Sequence, residues 1–226
     1  MISVVFTIRG AFIMKKKISF ILIILGLILI LIPIGGNIYN KNKQDEMIRD
    51  FEETFQTVSS TDEGEPLKEG EFVIVDINSN DNSKIDIGSV IGIIHIPRIE
   101  LTLPLMEGTT EKVLLQAIGH MKETPMPGQI GNAAFAGHRS HTFSRFFNRL
   151  GELGLLDEVY IKTKTTQQKY EVYDILIVKP TDIHVLEPDL DVPTITLITC
   201  HPMYSNKQRL IVKAKLIEEK PLSEIK

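Results

Sequence analysis

The chain of 226 residues contains a single cysteine, Cys200. One thiol cannot close an internal disulfide, so no disulfide framework holds the fold. The residue is either a small buried apolar side chain or a reactive thiol. A broad basic field is also missing. The 25 Lys and Arg stand against 29 Asp and Glu, a net charge of −4, which argues against nucleic acid as a partner. No internal repeat and no low-complexity tract is present, so nothing points to a repeat array. After Glu218 the sequence is polar and holds no second apolar span.

Charge of either sign is absent from residues 18–40, and residues 18–34 are almost wholly Ile, Leu and Phe. About 20 apolar residues span a bilayer core as a helix, whereas a buried helix is rarely apolar on every face for so long. The rival is a cleaved signal peptide, since Lys15, Lys16 and Lys17 resemble its basic start. The run exceeds a usual signal core and no Ala-x-Ala-like site follows. The expectation is an uncleaved anchor over 18–40. Arg9 and the three lysines precede it, which leaves the N-terminal 1–17 in the cytosol and the rest outside. Met14 opens "MKKKISF", and residues 1–13 are read as an upstream extension of the gene. Outside the cell structural cysteines come in pairs, so topology raises the interest of a lone one.

Residues 41–71 read as a polar extracellular linker. Met47, Phe51, Phe55 and Val58 make a helical apolar stripe, predicting an amphipathic helix over 43–58. The plainer reading is a spacer; the sharper one is a segment that packs over the domain and regulates it. From about residue 72 the pattern is mainly β. "SVIGIIHIP" and "IELTLPL" read as strands broken by Pro97. "TTEKVLLQAI" reads as a short helix ended before Gly119. "GNAAFAGH" reads as a buried strand and "FSRFFNRL" as a short helix. "EVYIKT" and "QKYEVYDILIVK" read as a hairpin, and "TITLITC" and "QRLIVKAKLIE" as the last two strands. Seven or eight strands in roughly 150 residues predict a closed barrel or a sandwich.

A thiol nucleophile needs a group that favours the thiolate and a group that stabilises the oxyanion of the tetrahedral intermediate. Histidine suits the first task with its pKa of about 6.5, and arginine the second with its permanent fork of donors. If the last two strands are antiparallel neighbours, Cys200 and Arg209 share one end of the sheet. An exposed strand arginine is the plainer alternative. Among the histidines, His201 adjoins Cys200, but neighbouring side chains on a strand face opposite ways. His95 sits between isoleucines and reads as structural; His184 falls in a loop. His120, His138 and His141 remain. His138 stands at the end of an apolar strand, where sites often form. The pair His138 and His141 is weak evidence for metal without carboxylate or thiol ligands nearby.

"TLITC" (196–200), followed by Arg209 and preceded by "NAAFAGHR" (132–139), resembles the sortases, membrane-anchored cysteine transpeptidases of Gram-positive bacteria. The likeness runs from about residue 89 to 218, and the order of His before Cys argues against papain-like peptidases. It implies a mainly β fold, a closed eight-stranded sortase-type β-barrel with short helices in residues 72–219, preceded by one transmembrane helix and followed by a polar tail, 220–226. It implies Cys200 as nucleophile, His138 as acid/base, Arg209 as the oxyanion and substrate-positioning group, and Thr199 as a substrate-binding residue. His120 matches a second histidine of the family and reads as structural. No metal or organic cofactor is implied. The implied partners are surface proteins with an LPxTG-like C-terminal signal and a peptidoglycan-precursor (lipid II) amine at the cell membrane, with no nucleic acid. "AGHRSHTFSRFFNRLGEL" most resembles class D. A class A housekeeping sortase, a secreted thiol peptidase using water, and a tethered binding domain with an inert cysteine are the alternatives.

Overall fold

The computed structural model describes residues 20, 22–29, 31, 35–36, 38–53, 85–139, 146–188 and 191–224. The chain forms two compact units, residues 1–43 and 44–226. In the first, residues 22–29 and 38–43 are helical, and Leu22, Ile23, Leu25, Leu27 and Leu29 are exposed. Among the described residues, no helix is long and apolar enough to cross a membrane. The expected span 18–40 lies partly outside the described residues.

The second unit is an eight-stranded barrel. Its strands are β1 (Val90–Ile96), β2 (Leu101–Glu107), β3 (Ile118–His120), β4 (Asn132–Ala136), β5 (Glu158–Lys162), β6 (Thr166–Val178), β7 (Thr194–His201) and β8 (Gln208–Pro221). They close in the order β1-β2-β3-β4-β7-β8-β6-β5, with β5 pairing back to β1. Two pairs are parallel, β2 with β3 and β4 with β7; the others are antiparallel. Closure leaves no sheet edge open to another chain.

Local chemistry sets the turns. Pro97 opens a 3-10 turn, Pro97–Ile99, which Glu100 ends in the left-handed region at φ 52°. The turn brings Ile96 opposite Leu101, so β1 and β2 form a hairpin. Thr110 caps helix α2 (Glu111–Leu114), its side chain accepting from the Val113 N–H at 3.4 Å. Burying alternate residues of the strands then fills the barrel. Ile94, Leu105, Ile118, Phe135, Ile161, Tyr170, Leu197 and Val212 are fully enclosed in one apolar core.

Three sequence expectations are corrected, and one open alternative is decided. "TTEKVLLQAI" is not one helix: α2 covers four residues, and Ile118 with Gly119 and His120 pairs as β3. The signal of β3 is only three residues long, and its neighbour β2 supplies the hydrogen bonds. In "FSRFFNRL", residues 143–145 lie outside the described residues, while 146–149 make an isolated bridge and a turn leading into a 3-10 turn at Leu150–Glu152. The large apolar residues there join the barrel core: Phe147 and Leu150 are fully buried. β8 runs to Pro221, three residues past the strand expected over "QRLIVKAKLIE". Finally, the linker is more than a spacer. Residues 44–53 form helix α1. Met47, one turn from Phe51, packs with Met106, Val113 and Ala117, while Gln44 Nε2 donates to the Gln116 carbonyl at 2.7 Å. Glu52 pairs with Lys162 at 3.0 Å. The apolar stripe finds an apolar partner, and burial stabilises the docked helix. Phe55 and Val58 lie outside the described residues.

Candidate active site

The parallel pair β4–β7 builds one side of the site. Its last register partners are Ala136 and Ile198. Two residues further along each strand come His138 and Cys200. The Gly137 N–H donates to the Ile198 carbonyl at 3.1 Å, which carries the pairing one step past the end of β4. Thr199 Oγ1 donates to the Gly137 carbonyl at 2.8 Å, and Thr199 is 2% exposed. Thr199 thus ties the strand of the cysteine to the residue before the histidine.

The antiparallel pair β7–β8 builds the other side. Cys200 and Arg209 are direct register partners. Cys200 therefore lies between His138 and Arg209 on three adjacent strand ends, with neighbouring strands about 4.8 Å apart. The Cys200 side chain is a free thiol and half-buried. His138 is exposed, and its ring meets Phe146 edge-on at 6.3 Å between centroids. Its carbonyl accepts from the Phe147 N–H at 3.1 Å. Arg209 Nη1 donates to the Asn206 and Gln208 carbonyls at 3.0 and 2.9 Å. The β7–β8 turn thereby holds the guanidinium at the strand end.

Gly137 permits this arrangement by having no side chain. A Cβ there would stand 2.7 Å from both Ile118 Cδ1 and Phe147 Cδ2. The two-residue period of the strands decides what opens beside the cysteine. Ala136, Ile198, Ile211 and Arg209 share the face of His138 and Cys200, because alternate residues of a strand face one way. They line a cleft of about 220 Å³, roofed by the β6–β7 connection through Pro180, Ile183 and Leu186. Most of its wall is apolar. Of the three chemical groups Arg209 lines the cleft itself, while Cys200 and His138 come next along the strand faces of Ile198 and Ala136. An apolar cleft beside such groups suits an extended peptide with a reacting carbonyl at one end.

His120 stands elsewhere. It is 1% exposed on β3, with Nδ1 2.8 Å from Glu107 Oε2 and Nε2 2.9 Å from the Pro125 carbonyl. Both ring nitrogens are engaged in clamping β2, β3 and the turn beyond, which is a structural post. His95 is exposed, with Nδ1 2.9 Å from Thr102 Oγ1. His184 opens a short 3-10 turn at the cleft roof and pairs with Asp182. His141 lies outside the described residues, and among those described no cluster of His, Cys, Asp and Glu gathers to hold a metal ion.

Sequence reasoning passed over two participants. Arg139 was part of the "AGHR" motif but carried no assignment; its Nη1 lies 3.2 Å from the Cys200 carbonyl and 3.1 Å from His201 Nδ1. The cleft roof was the second. It is a loop, and no periodicity signals a loop's contact with a distant strand.

Comparison with known proteins agrees with this geometry. The family model for the sortase domain matches residues 94–217. The chain is 34% identical over 139 residues to Sortase A of Bacillus anthracis, covering 62% of this chain and 65% of that protein. It is 30% identical over 119 residues to Sortase D of Bacillus subtilis, covering 53% of this chain and 58% of that protein. The matches thus span under two thirds of either relative. Among solved structures, a Clostridium perfringens Sortase D5 transpeptidase superposes with a TM-score of 0.58 at 32% identity, covering 79% of this chain and 98% of that one. With a family match over more than half its length, on a closed barrel that sets a free thiol beside a histidine and an arginine, the chain belongs to the sortase family.

Proposed function

We propose that this protein is a membrane-tethered cysteine transpeptidase that cleaves an LPxTG-like sorting signal of surface proteins and joins the new carboxyl end to a peptidoglycan-precursor amine. The single observation that carries the reading is the placement of Cys200 between His138 and Arg209, on the strand faces whose Ala136, Ile198 and Arg209 line an apolar cleft.

The chemistry follows from the side chains. The Cys200 thiolate adds to the carbonyl carbon after the signal's Thr, and the carbonyl oxygen becomes an oxyanion. Arg209 and backbone N–H groups stabilise that charge. The C–N bond breaks and His138 protonates the departing amine. A thioacyl-enzyme remains. An incoming amine adds to the same carbon, His138 takes its proton, and the C–S bond breaks to regenerate the thiolate. The apolar cleft wall takes the leucine and proline of the signal. Residues 18–40 anchor the enzyme with its barrel outside the cell, where both substrates arrive. Class D is the subclass proposed, on the "AGHR" segment and the Phe-rich stretch after it.

A fluorogenic LPxTG-type peptide tests the reading. The expected result is turnover that yields ligated product when an amine such as triglycine is added. Cys200→Ala abolishes it, Arg209→Lys loses much of the rate because a point charge does not replace a planar fork, and His138→Ala costs far more than His201→Ala. Hydrolysis indifferent to every added amine supports a peptidase using water. Silence toward a panel of peptides, with Cys200 unlabelled by thiol reagents, supports a binding domain.

A further inference from the structure

His138 is bracketed by two residues that both reach the cysteine's strand. On one side is Gly137, bonded to Ile198 and Thr199. On the other is Arg139. Its Nη1 donates to the Cys200 carbonyl at 3.2 Å and faces His201 Nδ1 at 3.1 Å. A guanidinium has only donors, so the His201 bond uses the lone pair of Nδ1 and places that ring's proton on Nε2. Arg139 Nε is buried and, among the described residues, without a hydrogen-bond partner. A buried guanidinium N–H without an acceptor carries a desolvation cost. The side chain is therefore held in this pose by its Nη1 bonds and by packing. The main chain of Arg139 bridges Phe146, which fixes its Cα as well.

A second observation concerns Gly151. A Cβ at that position would stand 3.0 Å from Arg139 Nη2. The glycine leaves the space in which the guanidinium lies. Nothing at Gly151 is otherwise crowded except Leu210 Cδ2 at 3.6 Å, an ordinary contact.

We propose that Arg139 is a positioning residue for the reaction: it pins the peptide that follows Cys200 to the residue that follows His138, so that nucleophile and acid/base keep one spacing, and Gly151 is the clearance it needs. The proposal rests on the reading of Cys200 and His138 as the reacting pair. The ladder between β4 and β7 stops short of both residues. Beyond it, side-chain bonds replace ladder bonds, Thr199 to Gly137 first and Arg139 to Cys200 next. Without the second, the segment of His138 is tied to the strand of Cys200 through Gly137 alone. Reacting groups displaced by about 1 Å lose rate on the order of 100-fold.

The test uses the full-length chain. Arg139→Ala lowers kcat for the peptide and amine reaction by roughly 10- to 100-fold while KM stays within about 2-fold, because the groups move but the cleft does not. Arg139→Lys falls between, since an ammonium serves one acceptor and not both. Gly151→Ala lowers kcat in the wild-type background and has no further effect beside Arg139→Ala, the non-additivity expected of two groups in contact. Amide exchange at Gly137 and Phe147, measured without substrate, speeds up in both Arg139 variants. Wild-type kcat in Arg139→Ala overturns the proposal. So does a loss confined to KM, or a Gly151→Ala effect that persists without Arg139. If no peptide turns over even with the wild type, the transpeptidase reading fails by itself. Exchange then decides the clamp, and unchanged protection in Arg139→Lys overturns it.

Discussion

Replacing Gly137 with alanine tests whether close packing under the histidine segment sets both stability and rate. The added Cβ would lie 2.7 Å from Ile118 Cδ1 and from Phe147 Cδ2, and 3.1 Å from Phe147 Cγ. Both neighbours are fully buried, so neither can swing into solvent. Forcing an extra carbon into a packed site costs about 1–3 kcal/mol. For a domain of this size each kcal/mol lowers Tm by about 2–4 °C. Phe147 is also the residue whose N–H holds the His138 carbonyl. Pushing its ring outward therefore moves His138, and kcat falls together with Tm. Gly154→Ala is the control, since a Cβ there meets only Asp157 Oδ2 at 3.9 Å. Thermal melts followed by circular dichroism, with peptide ligation rates on the same samples, give both quantities. A Gly137→Ala protein with the Tm and kcat of the Gly154→Ala protein refutes the packing argument.

Thr199→Val keeps the shape and removes the hydroxyl that donates to the Gly137 carbonyl at 2.8 Å. Leaving that buried carbonyl short of a donor costs about 1–3 kcal/mol, and chemical denaturation that shows no change would remove Thr199 from the scaffold of the site. Tyr170 supplies a pH-dependent expectation. Burial pushes its phenol up, against a smaller opposing effect of the Gly128 N–H bond. A folded pKa raised above the unfolded value gives stability that is fully present below about pH 10 and is lost as pH rises above it, because only the unfolded state then ionises. Tyr170→Phe is expected to lower stability at neutral pH, where the Gly128 N–H and Gln168 Oε1 lose their partner, yet to flatten the fall on the alkaline side. Melts between pH 7 and about 11 decide; an alkaline limb as steep as wild type would assign it to other groups.

The sequence by itself carried the strands long enough to show either a period of two or an apolar run. β5 and β6 were legible from alternation, since one face of each is buried, and β1, β2, β4, β7 and β8 from apolar runs of strand length bounded by turn residues. Cys200 was visible as the lone thiol at the end of such a strand, and Arg209 as the first cation after the next turn. These are local facts, and local spacing suffices for them. β3 was not legible, since three residues give no period and their pairing comes from β2 and β4. Neither was the fate of residues 44–53, whose apolar stripe is visible but whose partners begin at Met106, 59 residues after Met47. Only the tertiary structure decided that the parallel pairing of β4 with β7 sets His138 two residues past Ala136 and beside Cys200, with 61 residues of chain between them. Arg139 shows the same limit. Its letter stood in the motif, but its work is a hydrogen bond to a carbonyl 61 residues on, and carbonyl groups are identical at every position of a sequence. Which one a side chain meets is fixed by barrel closure and strand register alone.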